Sequence, residues 1–353
     1  MNMNKSVVYA LVAAVLFGAS TPLAKLLVNM VSPVMLGGLL YLGSGIGMLL
    51  IRLLRDRGWR ASGLQPGEWP WLLGAIAFGG VLGPVALMFG LTSTSGSTAS
   101  LLLNLEAVLT AVLAWVVFRE NADRRVVAGM LAIVAGGLVL SWPSGAVETG
   151  SGWIGPAAIG LACLCWAIDN NLTRKVSASD ALFIASSKGL VAGTVNVGLA
   201  MALGSALPPL GTATSAMVVG LLGYGISLVM FVLALRGLGT ARTGAYFSTA
   251  PFAGAVLSLV LLGEDTGAGF WLASGLMALG VWLHLTERHE HEHLHEELDH
   301  AHRHVHDEHH RHSHDISWDG QEPHEHRHRH ARMAHSHPHY PDIHHRHGHT
   351  QNA

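Results

Sequence analysis

Histidine is missing from the first 283 residues of this 353-residue chain, and cysteine occurs at only two positions, Cys163 and Cys165. Both cysteines lie inside one apolar run, where they read as small buried hydrophobes rather than a disulfide, and they say nothing of the compartment. Charge is scarce too. Asp, Glu, Lys and Arg make up 12% of the chain against 50% hydrophobic residues, and nearly all the long apolar runs end before residue 287. That segregation excludes an ordinary soluble domain and reads as a membrane protein with a polar appendage. The apolar part holds no nucleotide-binding motif, no nucleophile and base pair and no catalytic metal motif, so an enzyme is the reading with least support. A small-residue cleavage site is also missing after the first apolar run, which starts near Lys5 and continues to about residue 28. It is expected to be a retained span rather than a signal peptide.

A bilayer core of ~30 Å needs about 20 apolar residues in a helix. Ten runs meet that need, near residues 7–28, 34–54, 71–91, 97–118, 126–142, 153–173, 182–203, 217–235, 243–262 and 270–285. Basic residues are again selectively missing: the loops after odd runs carry none. Those after even runs carry Arg52, Arg55, Arg57 and Arg60; Arg119, Arg124 and Arg125; Arg174 and Lys175; and Arg236 and Arg242. The positive-inside rule then sets both termini in the cytoplasm of an inner (plasma) membrane protein.

The fourth run, residues 99–120 (ASLLLNLEAVLTAVLAWVVFRE), has an echo 144 residues later in residues 243–264 (TGAYFSTAPFAGAVLSLVLLGE). The alignment has no gap and sets Ala107 against Pro251 and Glu120 against Glu264. Phe17, Gly18 and Lys25 correspond in the same way to Trp166, Ala167 and Arg174, and Ser32-Pro33 to Ser179-Asp180. With five runs in each half, an odd number, the second half must cross the membrane upside down relative to the first, as an inverted repeat. Gly43 with Gly47, Gly79 with Gly83 and Gly189 with Gly193 stand four residues apart, a spacing read here as tight helix packing. The ten-run arrangement, the Glu106-Ala107 and Ala250-Pro251 pairs and the terminal Glu resemble the EamA-type repeats of the drug/metabolite transporter superfamily. The resemblance covers about residues 7 to 285. It implies a cavity between the repeats through which a small metabolite passes, without naming the metabolite.

The fold expected is an all-α membrane protein of ten transmembrane helices in two inverted five-helix repeats, residues 1–143 and 153–285, followed by a disordered tail, residues 286–353. A charge at the bilayer centre costs ~2.5–3.5 kcal/mol, so ionisable residues inside spans face a cavity or a partner. Lys25, Glu106, Asp169 and Lys188 are the four such residues, with Asn104, Asn170, Asn171 and Asn196 as polar companions. Lys188, too far from a helix end to snorkel, is the strongest candidate for a substrate or counter-ion residue. The substrate-binding candidates are thus Lys188, Glu106, Asp169, Asn104, Asn170 and Lys25; structural ion pairs are the competing reading. Pro22, Pro84 and Pro251 fall inside spans, where each removes a backbone donor and can free a carbonyl. Trp115, Trp142, Trp153 and Trp271, near span ends, read as interface anchors.

All 24 histidines lie between His284 and His349. From Glu287 onward 13 acids face seven Arg and no Lys, so the tail carries −6 before any His titrates and the membrane part about +4. Such a segment cannot bury a core and is expected to be disordered without a ligand. Imidazoles alternate with charge at His289, His291 and His293, at His302, His304 and His306, and at His324, His326 and His328, a pattern suited to Zn, Ni, Co or Cu. A solvated, pH-sensitive tail is the plainer alternative. The reading favoured is a secondary transporter of a small organic solute with a metal-binding cytoplasmic tail and no required cofactor. The alternatives are a Ni, Co or Zn exporter fed by the tail, and a metal sensor or scaffold that no longer transports. Expected partners are the solute, the lipid bilayer and transition-metal ions, with a homodimer left open and no nucleic acid.

Overall fold

In a computed structural model the chain is described for residues 3–118, 124–142, 153–176, 179–286, 290–295, 298–304, 324–330 and 333–338. Among the described residues before the tail every regular element is helical. The helices are α1 (Met3–Val28), α2 (Pro33–Asp56), α3 (Trp69–Ala75), α4 (Gly83–Ser93), α5 (Gly96–Leu102), α6 (Leu105–Phe118) and α7 (Arg124–Ser141). They continue with α8 (Ile154–Arg174), α9 (Ala181–Ala202), α10 (Leu210–Gly220), α11 (Ser227–Phe247), α12 (Ala250–Leu262) and α13 (Ala268–Leu285). Two π-helical segments join neighbours into longer rods: Ile76–Leu82 between α3 and α4, and Leu221–Ile226 between α10 and α11.

Among the described residues, seven helical stretches are long and apolar enough to cross a membrane, and Ala250–Leu262 and Ala268–Leu283 are shorter apolar helices. The difference from the ten runs has local causes. Asp169, Asn170 and Asn171 dilute the apolar character of α8, although it has 21 residues. The fourth run still counts among the seven, as Gly96–Leu113, although it breaks at Leu103 and Asn104 between α5 and α6. The ninth breaks at Ser248 and Thr249, so that α12 starts only at Ala250. The eighth run is longer than expected, because α11 continues to Phe247.

The helices are held close by missing side chains. The most extensive contact is between α2 and α9, which run antiparallel: Ser32 before α2 meets Ser205 after α9, and Arg52 near the end of α2 meets Asp180 before α9. A Cβ on Gly45 or on Gly189 would collide with the backbone of the other helix, so only glycine allows this approach. Around this pair a core of Met35, Leu36, Leu40, Met88, Leu91 and Leu102 joins α2, α4 and α5, with Trp166 of α8 at its edge. Cys163 and Cys165 are buried and free, as small hydrophobes would be. Trp142 and Trp153 are exposed and pack edge to face, with ring centroids 6.4 Å apart.

One end of the α2–α9 pair is charged. Arg52, only 1% exposed, donates from Nε to Asp180 at 3.0 Å and from Nη2 to the carbonyl of Arg60 at 2.8 Å, and Phe183 lies against its guanidinium. Arg55 donates to the same carboxylate at 2.7 Å. Asp180 also caps α9, accepting from the Leu182 amide. Burial works to raise its proton affinity, but the hydrogen bonds from Arg55 and Arg52 outweigh it and hold the carboxyl below the usual aspartate range. At the opposite end of the pair the neutral hydroxyls of Ser32 and Ser205 meet at 2.9 Å.

In the tail the described residues form four strands in two antiparallel pairs. Glu290–His295 pairs with Met333–Pro338, and Leu298–His304 with His324–His330. The alternation of histidine with other residues has the period of a strand.

Candidate functional site

The central polar group is built where a proline and a π segment leave a carbonyl without a helical partner. Within Ile76–Leu82 the Gly83 amide bonds back to Phe78, so the Gly79 carbonyl would next look to residue 84. Residue 84 is proline and has no N–H. The Gly79 carbonyl instead accepts from the Tyr41 hydroxyl of α2 at 2.7 Å and from Trp166 Nε1 of α8 at 3.0 Å. The next two carbonyls, Gly80 and Val81, accept from Asn196 Nδ2 of α9 at 3.2 and 3.4 Å. One irregular turn thereby gathers side chains from three other helices.

Asp169 sits one turn along α8 from Trp166, against Gly79, where any Cβ would collide with its carboxylate. Lys188 of α9 donates to both oxygens of Asp169 at 2.6 Å, and Thr173 donates to Oδ1 at 2.8 Å. Lys188 is therefore one half of a tight ion pair rather than a lone charge. On the next face of α8, the exposed Asn170 donates to Glu106 Oε1 at 2.9 Å and reaches Thr110 Oγ1 at 3.4 Å, tying α8 to α6. Glu106 lies within electrostatic reach of both Asp169 and Lys188. Four of the six candidates, Lys188, Asp169, Glu106 and Asn170, thus form one group.

The other two stand apart. Lys25 donates to the carbonyl of Leu91, near the end of α4, and shares its surroundings with Glu264. Glu264 in turn accepts from the Gly96 and Ser97 amides, at 2.6 and 2.8 Å, at the start of α5. Asn104 is buried at the helix break, donating to the Leu101 carbonyl at 2.9 Å and facing Met277. Tyr41, Trp166, Thr173 and Thr110 were not among the candidates. For Tyr41 a signal existed: the offset that sets Ser32 against Ser179 also sets Tyr41 against Lys188.

Beside this group runs a chain of ring contacts. Tyr41 meets Tyr224 at 5.6 Å, Tyr224 meets Phe17 at 6.0 Å, Phe17 meets Phe247 at 5.4 Å and Phe247 meets Phe231 at 4.8 Å. These rings come from α1, α2, α11 and the second π segment.

Of the metal-ligand candidates, His289 and His306 lie outside the described residues. The backbone register sets His302 opposite His326, His304 opposite His324 and His300 opposite His328 in one strand pair. In the other it sets His291 opposite His337 and His293 opposite His335.

Comparison with known proteins adds an independent line. The model of a family described as the EamA-like transporter family matches the chain twice, over residues 4–142 and 153–286. A protein of Methanothermobacter thermautotrophicus named as an uncharacterized transporter is 25% identical over 77% of this chain and 83% of its own length. The uncharacterized transporter YyaM of Bacillus subtilis is 25% identical over 69% of this chain and 82% of its own. A solved crystal structure superposes with a TM-score of 0.58 over 80% of this chain and 96% of that one, at 18% identity, which is a likeness of fold.

Proposed function

Because the chain belongs to the EamA-like transporter family, we propose that it is a secondary transporter moving a small organic solute across the inner (plasma) membrane. It works by alternating access between two inverted five-helix repeats. Ten spans, both termini in the cytoplasm and a metal-binding tail complete this reading. Membership of the family and the apolar helices make the chain a multi-pass membrane transporter; the solute, the route and the coupling are the proposal.

The observation that carries it is the Asp169–Lys188 pair with Glu106 and Asn170 beside it. Groups this costly in lipid are kept where they act or where they hold helices together. Here Glu106 comes from the first matched repeat and Asn170 from the second, so their hydrogen bond joins the two units that alternating access moves against each other.

The test is counterflow of a panel of labelled solutes into liposomes holding the purified chain. Lys188→Ala should abolish uptake of whichever solute the wild type moves, while its level in the membrane stays near normal. Loss of the protein itself would assign the pair to folding, and full activity would remove Lys188 from the path.

For the tail, the alternation of imidazoles with charge along the sequence supports binding of Zn, Ni, Co or Cu. Truncation after Glu287 should remove metal binding and leave solute uptake intact. Binding should weaken as pH falls through ~6.5, since protonated imidazole cannot ligate. Metal efflux that needs both the tail and Lys188 would favour the exporter instead.

A further inference from the structure

The chemistry of the solute can be narrowed from the charge balance of the central group and from the rings beside it. Lys188 is spent on Asp169, which takes it with both oxygens, so that pair is neutral as a unit. Glu106 has no such partner. Its hydrogen bond is to the Asn170 amide, and among the described residues no Lys, Arg or His lies within ion-pair distance of it. The charged and titratable groups around it are few. From α8 come Asp169 and the Cys163 thiol, from α9 Lys188, from α2 the Tyr41 hydroxyl, and α7 has only Arg124 and Arg125, in its first turn. The group therefore holds one carboxylate more than it has cations.

The second observation is the row Tyr41, Tyr224, Phe17, Phe247 and Phe231, in which every ring is only partly buried. Tyr41 links this row to the charges: its hydroxyl shares the Gly79 carbonyl with Trp166, and it lies within electrostatic reach of Asp169 and Glu106. Charged side chains from α6, α8 and α9 thus stand beside an aromatic row from α1, α2, α11 and the second π segment. The Asn170 amide that holds Glu106 is exposed, so a ligand can displace it.

We infer that this site takes an organic cation with an aromatic or planar apolar body, its ammonium held by Glu106 and its body laid against Tyr41, Tyr224 and Phe17. The inference rests on the proposed transport function for its physiological meaning. A carboxylate in a low-dielectric setting with a single amide partner gains most from a cation. Aromatic faces attract the same cation through their quadrupole and bury its apolar body. An anionic solute would have to strip Lys188 from Asp169, and the Glu106 carboxyl offers it no positive charge.

The experiment is equilibrium binding of tritiated 2-phenylethylammonium to the full-length chain in lipid nanodiscs at neutral pH, with 2-phenylethanol and phenylacetate as competitors. The ammonium should bind saturably, the alcohol about tenfold more weakly, and phenylacetate should not compete. Glu106→Gln should weaken the ammonium by about tenfold or more and leave the alcohol unchanged, Glu106→Asp should restore most of the binding, and Tyr224→Leu should weaken both ligands. A preference for phenylacetate, no binding of the ammonium, or equal ammonium binding by wild type and Glu106→Gln would each overturn the inference. Flux is measured separately on the same preparations. Ammonium binding without flux of any solute would defeat the transport reading and leave the site's selectivity standing, whereas flux of an anion alone would do the reverse.

Discussion

Asp169 and Lys188 have more to lose singly than together. Removing one partner of a buried ion pair leaves the other charge uncompensated and typically costs ~3–5 kcal/mol, whereas replacing both with apolar groups of similar size is often neutral. Lys188→Met alone should therefore lower the thermal midpoint of the detergent-solubilised protein, and Asp169→Leu with Lys188→Met should recover most of the loss. A double variant as unstable as the sum of the singles would mean the two residues do not interact. Gly79→Ala belongs to the same scale. Its methyl would occupy the place of the Asp169 carboxylate and press on the ion pair, so it should lower the thermal midpoint as Lys188→Met does, without removing a polar side chain. The sequence made these charges legible because a charge in an apolar run stands out. It hid Tyr41 and the Gly79 carbonyl, which carry no charge, and it could not reveal that Lys25 and Asn104 point elsewhere. Their directions are set by the end of α4 and by the break before α6.

At the scale of elements, α2 and α9 are pinned by charge at one end and by two hydroxyls at the other. The carboxyl of Asp180 is held below its ordinary range in the fold. Its stabilising contribution is therefore complete above the ordinary aspartate range and is lost as pH falls through its lowered folded value. Asp180→Asn should lower the thermal midpoint at neutral pH, and the gap from wild type should close in strongly acidic buffer; a gap independent of pH would remove the charge from the explanation. The existence of these helices could be read from apolar runs, but their interruptions could not. A π segment and a broken helix have the same average hydropathy as a straight one, and only the hydrogen-bond pattern separates them. The basic residues used to orient the chain also turn out to have structural work, since Arg52 is buried against Asp180 rather than free at the surface.

For the whole molecule the orientation is testable directly. Reporter fusions after Arg60, Arg125, Lys175, Arg242 and His289 should all report cytoplasm, and an outside signal at any of them with the fold intact would break the five-plus-five arrangement. Another feature of the whole concerns time rather than space. The two π segments begin 145 residues apart, within one residue of the 144 that separate the matching runs 99–120 and 243–264. The helix breaks at Leu103 and at Ser248 are 145 apart as well. A π segment closes its turns over five residues instead of four and so holds a residue beyond what the α-helix needs. If that residue came by insertion, its place in both halves sets the insertion before the duplication that made two halves from one. The ancestral five-helix chain, assembling as separate copies, would already have carried the irregular turn. Proline came to follow it in only one descendant, at Pro84, and the charged side chains settled asymmetrically around it. Five-helix relatives with a regular α-helix at this place would contradict that order of events.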